Sequence, residues 1–352
     1  MSSKPSFSSD GSAHQNRQRL LDRLRASGAF GFGASSLGNL YAPMSDEQAR
    51  RAVDSAWDAG IRYFDTAPFY GYGLSERRLG AALSSKPRDE FLLSTKVGRL
   101  LVEDPTSGTG DGFQSALPFR PVFDYSFDGV LRSVDDSLSR LGLDRIDILL
   151  MHDIGAATHG EHHDRHWRDA VDGGFRALER LRTERVVSAI GLGVNEVGAC
   201  VGSLDHVDFD LFLLAGRYTL LDQSAGDFFD LCRARNIGVI AAGVFNSGIL
   251  ATGAGRGGAY FDYGAAPDDI ADRVQRIEMI CSAFGISLAA AAHRFVETHP
   301  AVTQTLLGLR DEDQLKSALD NQQQAIPPAL WQALEEAGLI RAVAQATPEA
   351  NV

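Results

Sequence analysis

Short, nearly unbroken apolar runs alternate along the chain with longer stretches whose apolar positions recur at helical spacing. The runs fall at residues 29–35, 62–65, 91–96 (FLLSTK), 146–152 (IDILLMH), 188–193 (SAIGLG), 211–215, 238–242 and 302–308. Their length and continuity read as strands buried on both faces, as in a parallel sheet covered by helices. Helical spacing fills 15–26, 129–141, 173–185, 226–236, 269–284 and 311–320. Ser45, followed by Glu47 and the apolar positions Ala49, Ala52 and Trp57, predicts a capped helix ending at Ala59, and another helix opens at Leu74-Ser75-Glu76. Eight strands, each followed by a helix or a long connection, predict an α/β fold closed as a (β/α)8 TIM barrel of about 300 residues. A doubly wound open sheet is the second reading. The Ser-rich segment 1–15 reads as a disordered tail, and 16–345 as a single domain.

Two connections are too long to be turns. Residues 102–125 follow the third strand and 247–268 the seventh, so both fall at the C-terminal ends of strands, where barrel enzymes keep their sites. They read as covers for a substrate or cofactor, or as solvated loops.

Charge and composition narrow the class. The 352-residue chain is 44% apolar with a net charge of -12, which disfavours nucleic acid and anionic membrane as partners. No apolar run approaches a membrane span and the first residues are polar. Cys200, Cys232 and Cys281 form no disulfide or zinc spacing and read as reduced core thiols. A soluble cytoplasmic enzyme, monomeric or a small homo-oligomer, is the expectation.

Three predicted strands end in polar residues that a core would not choose: Asp65, Lys96 and His152. Tyr70 lies in the Gly-rich loop just beyond Asp65. A tyrosine hydroxyl has a pKa of about 10, too high for proton exchange at neutral pH. A cation within hydrogen-bond reach lowers it, and Lys96 is the candidate, held charged by Asp65. His152 would donate to a substrate oxygen and fix its position. Such an acid/base needs a hydride carrier as its partner.

These residues stand in motifs, Asp65-Thr66-Ala67 with Tyr70 five residues on from the acid, Ser94-Thr95-Lys96 and Met151-His152-Asp153, and through them the chain resembles the aldo-keto reductase superfamily from about residue 30 to 321. The resemblance implies that Asp65, Tyr70, Lys96 and His152 form a catalytic tetrad. It also implies NAD(P)H bound in extended form at the barrel mouth, without a Rossmann domain. Gly31-Phe32-Gly33 and Gly191-Leu192-Gly193 accordingly lack the helix and distant acid of a dinucleotide fingerprint.

The cofactor contacts it implies are Asn195 on the nicotinamide carboxamide, Tyr218 beside it, and the loop Gly243-Val244-Phe245-Asn246-Ser247-Gly248 on the pyrophosphate. Gly308, Arg310 and Gln314 would meet the adenosine. Departures from the family's pattern are Gly193-Val194-Asn195 in place of Ser-Asn, Ala215 in place of a Gln, Ala242 where an aromatic usually stacks on nicotinamide, and Ala318 in place of an asparagine. Arg310 would suit a 2′-phosphate and Asp311 would oppose one, so NAD is favoured over NADP.

PFRPVFDYSFDGV, RLGLDRIDILLMHDI, IGLGVNE and GVFNSGIL resemble the bacterial branch containing L-fucose (D-threo-aldose) 1-dehydrogenases and pyridoxal 4-dehydrogenase. The resemblance implies oxidation of a C1 hydroxyl to a lactone, with a small sugar or aldehyde as substrate. Two other readings compete: a general NADPH-dependent aldehyde or ketone reductase, and a nucleotide-sensing binding subunit. The cluster His159, His162, His163 and His166 reads as a solvated loop or a wall of the substrate mouth rather than a metal site. GAGRGG at 253–258 reads as a cover over the pyrophosphate. Phe69, Tyr72, Phe119 and Phe123 read equally as pocket lining and as core. In relatives a short hairpin crosses the barrel floor, and what the N-terminal segment does there is open.

Overall fold

A computed structural model of the chain describes residues 11–255, 260–262 and 264–341. Eight parallel strands form its centre: β1 Gly31–Gly33, β2 Tyr63–Asp65, β3 Leu92–Val97, β4 Ile148–His152, β5 Ala189–Val194, β6 Leu211–Ala215, β7 Gly238–Ala242 and β8 Val302–Gly308. Each pairs with its neighbours in chain order and β1 also pairs with β8, which closes the barrel. The closed (β/α)8 reading therefore holds, and the open sheet does not.

Alternation along each strand divides the apolar residues into two cores. Tyr63, Leu92, Ile148, Leu150, Ala189, Leu211, Leu213, Ile240 and Leu306 fill the barrel, while the residues between them pack outward against the helices. Helix Asp46–Asp58 starts as expected at Ser45, with Gln48 completing a capping box. Helices Leu74–Leu83, Phe127–Leu141, Phe175–Thr183, Gly226–Ala234, Asp268–Ala283 and Glu312–Gln323 also follow the predicted pattern within a few residues. Val197–Ser203, Leu288–Val296 and Pro328–Glu336 are further helices that the spacing did not separate from their surroundings.

The N-terminal segment differs from expectation. Its helix runs Gly11–Arg25, beginning inside the stretch read as a tail. Leu20, Leu21 and Leu24 join the interior cluster, so a helix rather than a hairpin plugs the barrel floor. Buried Arg17 fixes it by pairing with Asp208 at 2.8 Å and Asp210 at 3.1 Å. Residues 1–10, 256–258 of the glycine-rich stretch and 342–345 lie outside the described residues.

Both long connections contain antiparallel hairpins where loops were expected. Arg99–Glu103 pairs with Phe119–Phe123, and Tyr260–Phe261 with Gly264–Ala265. Pro121 obscures the first, since proline in a strand is tolerated only at an edge such as this two-stranded ribbon provides. Among the described residues no single helix is long and apolar enough to cross a membrane.

Candidate active site

Strand alternation decides which side chains meet at the C-terminal rim. Tyr63 points into the barrel, so Asp65, two residues on, does too. Leu150 points inward, and so does His152. Asp65 lies in register with Ser94, and Lys96 with Leu150, which steps the polar residues around one arc of the rim. Lys96 has room because Gly193 faces it: a Cβ there would stand 3.2 Å from Lys96 Cε.

The Lys96 ammonium is buried and its three donors are all used. It donates to Asp65 Oδ1 at 2.6 Å, to the Thr66 carbonyl at 2.9 Å and to the Tyr70 hydroxyl at 3.1 Å. Burial pulls the Lys96 pKa down, but Asp65 and Tyr70 more than offset this and leave it raised. The other oxygen of Asp65 accepts from Ser94 at 2.6 Å, and the Ser94 hydroxyl lies 2.9 Å from that of Tyr63. This chain from inside the barrel satisfies a carboxylate that is only 1% exposed.

Tyr70 is half-buried in the turn between β2 and helix Leu74–Leu83. The turn is tied down at the helix start. Ser75 donates to the Ala34 carbonyl at 2.7 Å, and buried Glu76 accepts from Thr95 at 2.7 Å and pairs with Arg140. The ring centroids of Tyr70 and His152 are 6.0 Å apart at 87°. Burial, helped by the charges of Arg99 and Lys96, holds the His152 imidazole well below its ordinary range, so it is neutral. Asp65, Tyr70, Lys96 and His152 are thus brought to one place.

The expected cofactor positions are distributed as follows. Asn195 is half-buried just past β5, and its carbonyl accepts from Arg217 Nε at 2.8 Å. Tyr218 has its ring stacked on Phe295 at 5.3 Å, with Phe229 and His299 against it. That ring is taken up in packing between helices, and the neighbouring Arg217 is the side chain that reaches Asn195. Beyond β7, Gly243 has φ +62°, Val244 is buried and Phe245 lies edge-on to His293. Asn246 donates to the Gly216 carbonyl at 3.4 Å, while its buried Oδ1 has no partner. A Cβ at Gly248 would meet nothing within 4 Å.

Past β8, Gly308 is exposed, and the Gln314 side chain accepts from the Arg310 N–H at 3.0 Å. The Arg310 guanidinium donates to the carbonyls of Ala42 at 3.2 Å and Pro43 at 2.6 Å. Arg310 also borders a cavity of about 240 Å³ with Gln48, Arg51 and Glu312.

His159 lies 3.0 Å from the Tyr125 hydroxyl, and its ring is 4.4 Å from that of His166. Phe123 packs on both, and His163 on Trp167. Among the described residues no group of three or more His, Cys, Asp or Glu is placed to hold a metal ion. Cys200, Cys232 and Cys281 are free and buried. Of the aromatics, Phe69 packs edge-on to His152 at 6.1 Å, whereas Tyr72 is 4% exposed and donates to Asp111.

Sequence reasoning missed Ser94 and Tyr63 behind Asp65, Glu76 beneath Tyr70, and Phe113, which packs on Phe69 and Tyr70. Ser94 and Tyr63 each stand two residues before a rim residue, so the period of two was their available signal. Glu76 and Phe113 carried none.

One closed parallel barrel thus carries this phenol, ammonium, carboxylate and imidazole together at its C-terminal rim. The chain belongs to the aldo/keto reductase family, whose sequence profile it matches over residues 29–338. Pyridoxal 4-dehydrogenase of Microbacterium luteolum is 45% identical over 325 residues, 89% of this chain and 94% of that one. D-threo-aldose 1-dehydrogenase of a Pseudomonas species is 42% identical over 318 residues, with the same coverage. An aldo-keto reductase of Bacillus halodurans, solved in its holo form, superposes with a TM-score of 0.68 at 24% identity, covering 90% of this chain and 94% of that one. That last likeness concerns the fold. Aldo-keto reductases use NAD(P)H.

Proposed function

We propose that the protein is an NAD(P)-dependent dehydrogenase that oxidises the C1 hydroxyl of a cyclic aldose to the lactone, with Tyr70 as acid/base. The observation that carries this reading is the Lys96 ammonium bridging Asp65 and the Tyr70 hydroxyl at 2.6 and 3.1 Å. A cation in that position favours the phenolate, the form that accepts a proton from a hydroxyl. Neutral His152 donates to the same substrate oxygen and orients it. Bound nicotinamide supplies the hydride acceptor. As the C1–H bond breaks, its electron pair leaves as hydride, the O–H proton passes to Tyr70, and C1 becomes the lactone carbonyl.

The loop after β7 suits a nucleotide: the open space at Gly248 leaves room along it, and the orphaned Asn246 Oδ1 is an acceptor for a ribose hydroxyl rather than for the pyrophosphate. NAD is favoured over NADP, because Arg310 is engaged by the carbonyls of Ala42 and Pro43 and Asp311 stands beside it. Pyridoxal, as its cyclic hemiacetal, is the second reading, supported by the 45% identity to pyridoxal 4-dehydrogenase.

The test follows NADH and NADPH formation with L-fucose, D-arabinose and pyridoxal. Turnover of either sugar supports the aldose reading, and turnover of pyridoxal alone transfers the function to the second. Reduction of simple aldehydes by NADPH without oxidation of any of the three sinks both.

A further inference from the structure

We propose that Arg99 and Asp153 form the subsite that reads the hydroxyl groups flanking the reacting carbon. This rests on the aldose reading above and deepens it, by naming what selects a polyhydroxylated substrate.

Both residues follow closely on tetrad members. Gly98, with φ +100°, turns the chain out of β3; a Cβ there would stand 2.3 Å from the Tyr125 ring. That turn delivers Arg99 to the mouth as the first residue of its hairpin. Asp153 follows His152 directly, with φ +47°, and its N–H donates to the Gly193 carbonyl at 3.0 Å. A non-glycine residue held left-handed is uncommon and concentrates at functional sites. Here it sets the carboxylate beside the imidazole, with Asp153 Oδ2 3.4 Å from His152 Nε2 and 2.5 Å from Arg99 Nη2.

Aromatic faces complete the enclosure. The Arg99 guanidinium lies 3.9 Å over the Phe69 ring. Phe69 packs edge-on to His152, and Phe113 packs against both Phe69 and Tyr70. The space beside Tyr70 and His152 is therefore walled by rings on one side and an ion pair on the other.

The pair has bonding capacity to spare. The Asp153 side chain is 20% exposed, Arg99 Nε is buried without a partner, and so is His152 Nδ1. A buried ion pair is a poor stabilising device, and leaving a donor unmatched makes it poorer. A sugar hydroxyl needs one acceptor and one donor, which carboxylate and guanidinium supply side by side, while the C–H face of the ring packs on the half-buried Phe69. A hydroxyl-free aldehyde would leave the pair desolvated and unmatched, which is how such sites reject analogues.

The experiment compares kcat/KM for L-fucose and for 2-hydroxytetrahydropyran, a ring hemiacetal with no other hydroxyl. The wild type is expected to prefer the sugar at least about 100-fold, and Asp153→Asn and Arg99→Gln to cut that ratio by about 10- to 100-fold, the worth of one charge-assisted hydrogen bond. Thermal melting and NAD⁺ binding by fluorescence confirm that each variant folds. Equal losses on both substrates would assign the pair to holding His152 or to the fold and overturn the proposal. A wild type that oxidises the two with equal efficiency overturns it without any variant. NADH or NADPH formed from neither hemiacetal, nor from D-arabinose, refutes the aldose reading on which the subsite rests.

Discussion

Lys96 Nζ stands 3.1 Å from the Tyr70 hydroxyl while holding Asp65 at 2.6 Å, so one buried ammonium joins the phenol to the carboxylate. The Thr66 carbonyl takes its third proton at 2.9 Å. With every donor spent, the lysine has one orientation, and the phenol oxygen is fixed with it.

Tyr70→Phe removes the proposed proton acceptor and leaves the ring packing. Turnover should fall about 10²- to 10⁴-fold, with NAD⁺ binding by protein fluorescence still measurable. Turnover within a few-fold of wild type would remove Tyr70 from the proton transfer.

Lys96→Met should abolish turnover as well and also cost stability, because it strands Asp65 as a buried carboxylate. Breaking such a pair costs about 3–5 kcal/mol. The double variant Lys96→Met, Asp65→Asn should recover much of that stability in urea unfolding and none of the activity. A single variant as stable as wild type would contradict the coupling.

His293 is fully buried on helix Leu288–Val296, and neither ring nitrogen has a hydrogen-bond partner, the nearest carboxylate oxygen being Glu297 Oε1 at 3.9 Å from Nε2. Burial, with Arg294 adding to it, lowers its pKa to about 4. The unfolded chain therefore binds this proton more readily, and stability declines as pH falls from about 6.5 towards about 4. The share of His293 is about 2 kcal/mol at pH of about 5. His152, also lowered by burial, acts in the same direction. His293→Leu should flatten the fall in unfolding free energy over that window; an unchanged slope would show that the imidazole finds a proton partner.

NADP⁺ should be used at least about tenfold less efficiently than NAD⁺, the effect of about 1.4 kcal/mol in lost phosphate contacts. Measured kcat/KM for the two nucleotides decides it, and equal values would mean that Arg310 leaves the carbonyls of Ala42 and Pro43.

Leu24 closes the barrel floor and is fully buried. Leu24→Ala should cost about 2–5 kcal/mol in chemical denaturation and leave KM for the nucleotide in place, since floor and mouth lie at opposite ends. A loss below about 1 kcal/mol would show that the helix Gly11–Arg25 contributes little to the fold.

Strand order, the closed barrel and the three polar strand ends were legible because they rest on local regularities. Apolar runs mark strands, the period of two assigns each side chain to a face, and Asp65, Lys96 and His152 stand out where a core would be apolar. Caps were legible too: Ser45 sits where its hydroxyl satisfies the first turn of its helix. Tyr218 reads as a site residue from its motif, yet its ring stacks on Phe295, 77 positions away by number and adjacent only once the helices pack. The Arg99 hairpin was hidden by Pro121 and by loop-like composition.

The sequence by itself determined the repeating unit, the barrel class and which polar residues stand at the rim, since each follows from residues within one strand and the turn after it. Only the tertiary structure decided that Ser94 and Tyr63 brace Asp65, that a helix plugs the floor, and that Arg99 meets Asp153 beside His152. Those contacts join different strands and segments around a closed barrel. Their distances depend on strand register and on how distant segments pack, which no local pattern encodes.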